Sequence, residues 1–193
     1  MYEYIKGKIA DISPANIVIE AGGIGYFIHI SLNSYSRLNG KTETQLYLHQ
    51  MVREDAHTLY GFSETKERDF FRSLISVNGV GANTAIMMLS SLTTDEIRAA
   101  VTTENVSTLQ SVKGIGAKTA QRIIIDLKDK LGKIPESGQI LLPADNTIQI
   151  EALSALVMLG FAKKDAEKTV AKIIRDQPDI TVERAIKQAL KRL

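Results

Sequence analysis

LISVNGVGANTA, residues Leu74 to Ala85, and LQSVKGIGAKTA, residues Leu109 to Ala120, are identical at eight of twelve positions and lie 35 residues apart. Each copy ends an apolar helix, turns through G-x-G, and opens a second helix at A-x-T-A. Glycine lets the chain reverse tightly and lets another molecule approach without meeting a Cβ. The helix that follows starts with unpaired N–H groups and the positive end of its dipole, an arrangement that favours anions and phosphate above all. In the second copy Lys118 and Arg122 stand four residues apart, on one helical face. Residues 105–125 carry Lys113, Lys118 and Arg122 and no acid. The first copy lacks such a cation at Ala82-Asn83-Thr84. Two such turns predict a paired grip on nucleic-acid phosphates, with nothing that would read bases. The candidate contacts are Asn78, Gly79, Gly81 and Ala82 in the first copy, and Gly114, Gly116, Ala117, Lys118, Thr119 and Arg122 in the second. A helical period of this length also occurs in solenoids, but those need three or more copies.

Outward from the repeat, the chain changes grammar three times. Residues 1–62 read as strands: YIKGKIADI, NIVIEAGG, IGYFIHISL and TQLYLHQMV are short β-rich runs between turn signals. Gly22-Gly23 marks a tight hairpin, because glycine reaches the positive φ that primed turns require. Five or six short strands in so few residues predict a small closed barrel, OB-like, since closure removes unpaired edges. Residues 63–131 read as helices. SETKERDFFRSLISV sets Phe70, Phe71, Leu74 and Ile75 on one face, Thr93-x-x-Glu96 has capping-box spacing, and ENVSTLQSV fits a further short helix. Residues 132–146, GKIPESGQILLPADN, have the composition of a flexible linker. Residues 147–193 return to helical period and predict a three-helix bundle, a detachable interaction module. The fold class expected is α+β and multidomain.

Composition narrows the function. Hydrophobic residues make up 44% and charged residues 24% of the 193, the balance of a chain that can bury a core. There is no cysteine, which excludes disulfides, zinc–thiolate sites and iron–sulfur clusters. The three histidines, His29, His49 and His57, all fall in the strand-rich segment without metal-ligand spacing, and His49 and His57 read as surface or hydrogen-bonded side chains. No metal and no cofactor is expected. No G-x-x-x-x-G-K-[ST] loop occurs, so ATP hydrolysis by this chain alone is not expected. No catalytic residue suggests itself. No apolar run reaches the roughly 18–20 residues of a membrane span, and MYEYIKGKIADI does not resemble a signal peptide. A cytoplasmic, non-membrane protein is the expectation. The net charge of +2 is too small to argue for a DNA binder on its own.

The glycine turn resembles the helix-hairpin-helix motif of DNA repair proteins, whose paired form holds duplex DNA by its phosphates. The wider order is similar to that of the RuvA family, the Holliday junction-binding subunits of bacterial branch-migration complexes. VREDAHTLYGF (52–62), NGVG (78–81), GIGAKTAQR (114–122), ALVMLGF (155–161) and IEAGGIGY (19–26) carry the resemblance along the whole chain. It implies an OB-like barrel, a tandem helix-hairpin-helix domain and a UBA-like three-helix bundle. It further implies a homotetramer that lays one junction arm over each subunit, with an octamer where two tetramers sandwich the DNA.

On residues alone, the REDA tip is a polar hairpin end; the resemblance makes Glu54 and Asp55 an acidic pin at the tetramer centre. It also implies that the C-terminal bundle binds RuvB, a hexameric ATPase, through Leu156, Leu159 and Phe161, which on residues alone read as bundle core. The RuvC resolvase is a further implied partner. The work implied is branch migration in recombination, repair and fork reversal, including the SOS response to DNA damage. Two departures matter: this chain has Ala82-Asn83 where family members often carry a lysine, and GIGAK where a second hairpin can read GIGKK. Weaker phosphate contact per subunit follows, recovered in part by multivalency. The rival reading is a generic duplex-binding accessory module of a repair enzyme. An RNA-binding barrel would need exposed aromatics interleaved with cations, which Tyr26, Phe27 and Tyr47 supply poorly.

Overall fold

The structure, a computed structural model, describes residues 2–131, 144–178 and 180–193. The chain divides into two compact units, Met1–Pro135 and Glu136–Leu193.

The first unit begins with β1 (Tyr4–Ser13), β2 (Asn16–Ala21), β3 (Ile24–Ile30), α1 (Leu32–Leu38), β4 (Glu43–Val52) and β5 (His57–Phe62). The strands close into a barrel in the order β1-β2-β3-β5-β4. β3 and β5 run parallel and the other pairs antiparallel. A register shift between Ile9 and Asp11 bends β1 so that it pairs with β2 on one side and β4 on the other. Gly22 and Gly23, with φ of +61° and +79°, form the expected two-residue turn. Alternate residues fill the interior: Ile17, Ile19, Ile28, Ile30, Leu46 and Leu48 are all buried.

The run IGYFIHISL was expected to be strand throughout. It stops at Ile30, and the next residues form α1, a seven-residue helix capped by Ser31, whose hydroxyl accepts from the Ser34 amide at 3.0 Å. Its two leucines, at the ends of a seven-residue helix, leave too little period to be read.

The helical part holds α2 (Thr65–Ile75), α3 (Ala82–Ser91), α4 (Thr94–Thr102), α5 (Val106–Gln110) and α6 (Ala117–Leu131). Phe70, Phe71 and Leu74 are buried, as their spacing predicts, and Ile75 packs against the same core. The capping box at α4 forms: the Thr93 hydroxyl accepts from the Glu96 amide at 3.2 Å, and the Glu96 carboxylate accepts from the Thr93 amide at 2.7 Å.

Barrel and helices are welded into one unit. Tyr60 and Phe62 of β5 join the helical core, with ring centroids 5.1 and 5.0 Å from Phe71. The buried Glu67 carboxylate accepts hydrogen bonds from the Ser31 hydroxyl and, at 2.7 Å, from the Ser34 hydroxyl. Asn33 Nδ2 donates to the carbonyls of Leu89 at 2.6 Å and Leu92 at 3.2 Å. The buried Arg68 guanidinium pairs with Glu3 and lies 5.7 Å from the Tyr47 ring centre.

The second unit contains α7 (Ala144–Met158), α8 (Lys163–Asp176) and α9 (Val182–Ala189), around a small core of Ala152, Leu156, Ala166, Val170, Ile173, Ile180, Ala185 and Ala189. Of the expected linker at 132–146, residues 132–143 lie outside the described residues, and 144–146 are the first residues of α7.

Candidate nucleic-acid interface

The two glycine turns repeat hydrogen bond by hydrogen bond. In the first, Val77 N donates to Leu74 O at 3.0 Å and Val80 N to Val77 O at 3.0 Å; in the second, Val112 N donates to Leu109 O at 3.3 Å and Ile115 N to Val112 O at 3.1 Å. The apolar members pair off in the same way: Leu74 with Leu109, Val77 with Val112, Val80 with Ile115 and Ala85 with Ala120, all buried. These side chains anchor each turn from below, so the turn's outer backbone is held in a fixed presentation.

The four glycines divide into two kinds. Gly79 and Gly114 have φ of +90° and +89°, the left-handed region that side chains oppose. Gly81 caps α3 with φ −83° and ψ 170°, ordinary extended backbone, and Gly116 also lies outside the left-handed region. A Cβ added at either would meet nothing within 4 Å. Neither backbone geometry nor internal packing demands glycine at these two positions, and the surface there is bare.

The helix openings fit an anionic visitor. Gly81 provides no side-chain cap to α3, so the first N–H groups of that helix are left for an external acceptor. Lys118 and Arg122 are exposed on α6, and neither forms an ion pair among the described residues. Arg122 Nη1 donates to Asn78 O at 3.3 Å, which ties α6 of the second hairpin to the turn of the first. The sequence-derived set is thereby brought together: Asn78, Gly79, Gly81, Gly114, Gly116, Ala117, Lys118 and Arg122 are exposed, and Thr119 is half-buried. Ala82 is the exception. Its side chain is buried at 3% exposure, so that position offers a ligand its backbone alone.

Glu54 and Asp55 form the exposed tip between β4 and β5, closed by Arg53 N donating to Ala56 O at 2.8 Å. The foot of this tip and the first hairpin face one cleft, lined by Arg53, Asp55, Ala56, Gly81, Ala82 and Asn83 among others. His49, expected on the surface or hydrogen-bonded, is half-buried. Its ring packs 5.3 Å from Phe71, its Nδ1 is buried without a hydrogen-bond partner among the described residues, and burial, then Arg72 and Arg68, holds its pKa below the ordinary value.

In the second unit the three candidate contact residues separate. Leu156 is wholly buried, Phe161 is half-buried against the bundle core, and Leu159 is 61% exposed. Val157 and Met158, which were not singled out from the sequence, are exposed beside it, Met158 by 85%. The signal for them is helical phase: Ala152 and Leu156, four residues apart, set the buried face of α7, and Val157 and Met158 fall off it. No helix among the described residues is long and apolar enough to cross a membrane, and no group of three or more potential metal ligands gathers among them.

Three family models match the chain: RuvA N terminal domain over residues 1–61, SAM-like helix-hairpin-helix tandem over 71–129, and RuvA C-terminal domain over 149–193. Full-length relatives include proteins named "Holliday junction branch migration complex subunit RuvA". Those of Bacteroides fragilis and Christiangramia forsetii are each 50% identical to this chain, and that of Flavobacterium psychrophilum is 49% identical, with all of both chains covered in every case.

Proposed function

The chain belongs to the RuvA family, and from that membership we propose that it is the non-catalytic, cytoplasmic DNA-binding subunit of a branch-migration complex, one that recognises the four-way (Holliday) junction. The observation that carries the reading is the bare backbone at Gly81 and Gly116, where the fold itself asks for no glycine. A phosphate seated at each turn meets helix N–H groups and, at the second, Lys118 and Arg122. Two such seats, joined by the bond from Arg122 to Asn78, hold the two strands of one duplex arm.

Four copies around a centre then hold four arms. The weak cationic endowment of each turn is offset because the second, third and fourth arms bind at high effective concentration. Glu54 and Asp55 of four copies form a ring of carboxylates at the crossover, where their repulsion of phosphate keeps the strands apart while bases exchange partners. The exposed end of α7, Met158 and Leu159, is the contact for RuvB, whose ATPase drives the DNA through the complex. Leu156 supports that contact from the bundle core.

Gly81→Asn and Gly116→Asn test the carrying observation. Asparagine is a favoured helix N-cap and neither position has the positive φ that opposes a side chain, so melting temperature is expected to hold or rise. Affinity for a junction is expected to fall by about tenfold or more, the scale of a lost charge-assisted hydrogen bond. Full affinity in both variants would contradict the phosphate seats.

A further inference from the structure

The cleft between the acidic tip and the first hairpin has a wall that phosphate binding does not use. Besides the tip and hairpin residues, it is lined by His29, Met51, Thr58 and Tyr60. His29, half-buried, stands between Phe27 and Tyr60 in a run of rings. Its centroid is 5.6 Å from Tyr60, the two rings tilted by 32°, and 5.3 Å from Phe27, edge-on at 88°. Tyr60 in turn lies 5.1 Å from Phe71 in the core, tilted by 31°, so the His29 ring is braced from behind. Phe27 is 54% exposed beside it. Arg53 is exposed at the mouth and forms no ion pair among the described residues. Asn83 and Thr58 add amide and hydroxyl groups. The volume is about 370 Å³, at the small end of ligand pockets of roughly 300–1,000 Å³.

A flat π-surface, a thioether, a free guanidinium and an amide in a small cleft suit a planar heterocycle with a hydrogen-bonding edge. Aromatic rings take any nucleobase face, and arginine and asparagine take base edges. We propose that this cleft receives one unpaired nucleobase from the strand whose phosphate lies at Gly81. This inference rests on the junction-binding reading, since only at a crossover does an arm present a base that has left its partner. The base stacks on His29, with Arg53 and Asn83 at its edge. The platform compensates the stacking lost when a pair opens, and so lowers the cost of each exchange step. Asp55 at the same mouth repels the backbone, which leaves the uncharged base as the part of the nucleotide that enters.

The test uses the full chain and three DNAs of one arm sequence: a linear duplex, a fully matched four-way junction, and the same junction with one unpaired 2-aminopurine at the crossover. The unpaired base is expected to raise affinity about tenfold over the matched junction, with quenching of 2-aminopurine fluorescence on binding. In His29→Ala and Arg53→Ala, checked for unchanged melting temperature, the two junctions are expected to bind within about twofold of each other. The quenching is expected to be reduced in both variants and matched-junction affinity kept. Equal affinity of the wild-type chain for the two junctions, or a preference that survives both variants, would overturn the cleft assignment while leaving junction recognition intact. Failure of the matched junction to outcompete the duplex would overturn both.

Discussion

Glu67 is a carboxyl group in an expensive place. Burial raises its pKa above the ordinary 4.5, against the opposing pull of the Ser31 and Ser34 hydroxyls and Arg37. In the unfolded chain the proton leaves at lower pH, so between the two values the folded state holds more protons. The stability linked to this group is therefore full below the unfolded pKa and lost as pH rises through the folded one. Glu67→Gln removes the titration while keeping an acceptor for the serines. The melting temperature of the variant, measured against the native chain from about pH 4 to pH 7, is expected to gain with rising pH. A difference that stays constant with pH would contradict this. Neither Glu67 nor the buried Arg68 was legible in SETKERDFF, where the charges read as a solvent face. They are buried by α1 and by the N-terminal strand, which arrive from more than thirty residues away. The glycines were legible because the chain writes them twice. The sequence N-G-V-G does not show which glycine of each pair is required by a left-handed backbone and which is not; that division comes from φ.

Among elements, α6 is the one that joins sequence signal to function. Lys118 and Arg122 are exposed near its start, and its buried face, Ile123 and Leu127, is pinned in the helical core. A lysine bound to phosphate displaces a counterion, so its loss shows in the salt dependence. For Lys118→Ala the slope of log affinity against log salt is expected to shrink by about 0.9 for each phosphate contact removed. An unchanged slope would place Lys118 off the DNA. The strands, α2, and the capped start of α4 could all be read from period and caps. α1 could not, because a short helix between two strands has neither length nor amphipathic stripe enough to announce itself, and it is held by Asn33 and Ser31 bonds to α3 and α2. The end of α7 was read only in part. LVMLGF is apolar throughout, so hydrophobicity alone does not separate Leu156, on the face that Ala152 shares with the core, from the exposed Met158 and Leu159.

At the scale of the whole molecule the candidate sites fall in different compact units. The Met1–Pro135 unit carries both hairpins and the acidic tip, and the second unit carries an exposed apolar end suited to a protein partner. Leu159→Asp, at a position 61% exposed, is expected to leave junction affinity and melting temperature unchanged and to abolish stimulation of RuvB-driven branch migration; normal stimulation would move the motor contact elsewhere. In the proposed assembly structure specificity belongs to this scale alone, because one hairpin pair would hold an arm and only several copies around a centre would hold a crossover. The direct test is a competition gel shift of the native chain between an immobile four-way junction and linear duplex of the same arm sequence, at one stated salt concentration. The junction is expected to be preferred by about a hundredfold or more, the scale of multivalent capture. Equal affinity for the two would contradict this and leave a generic duplex-binding module.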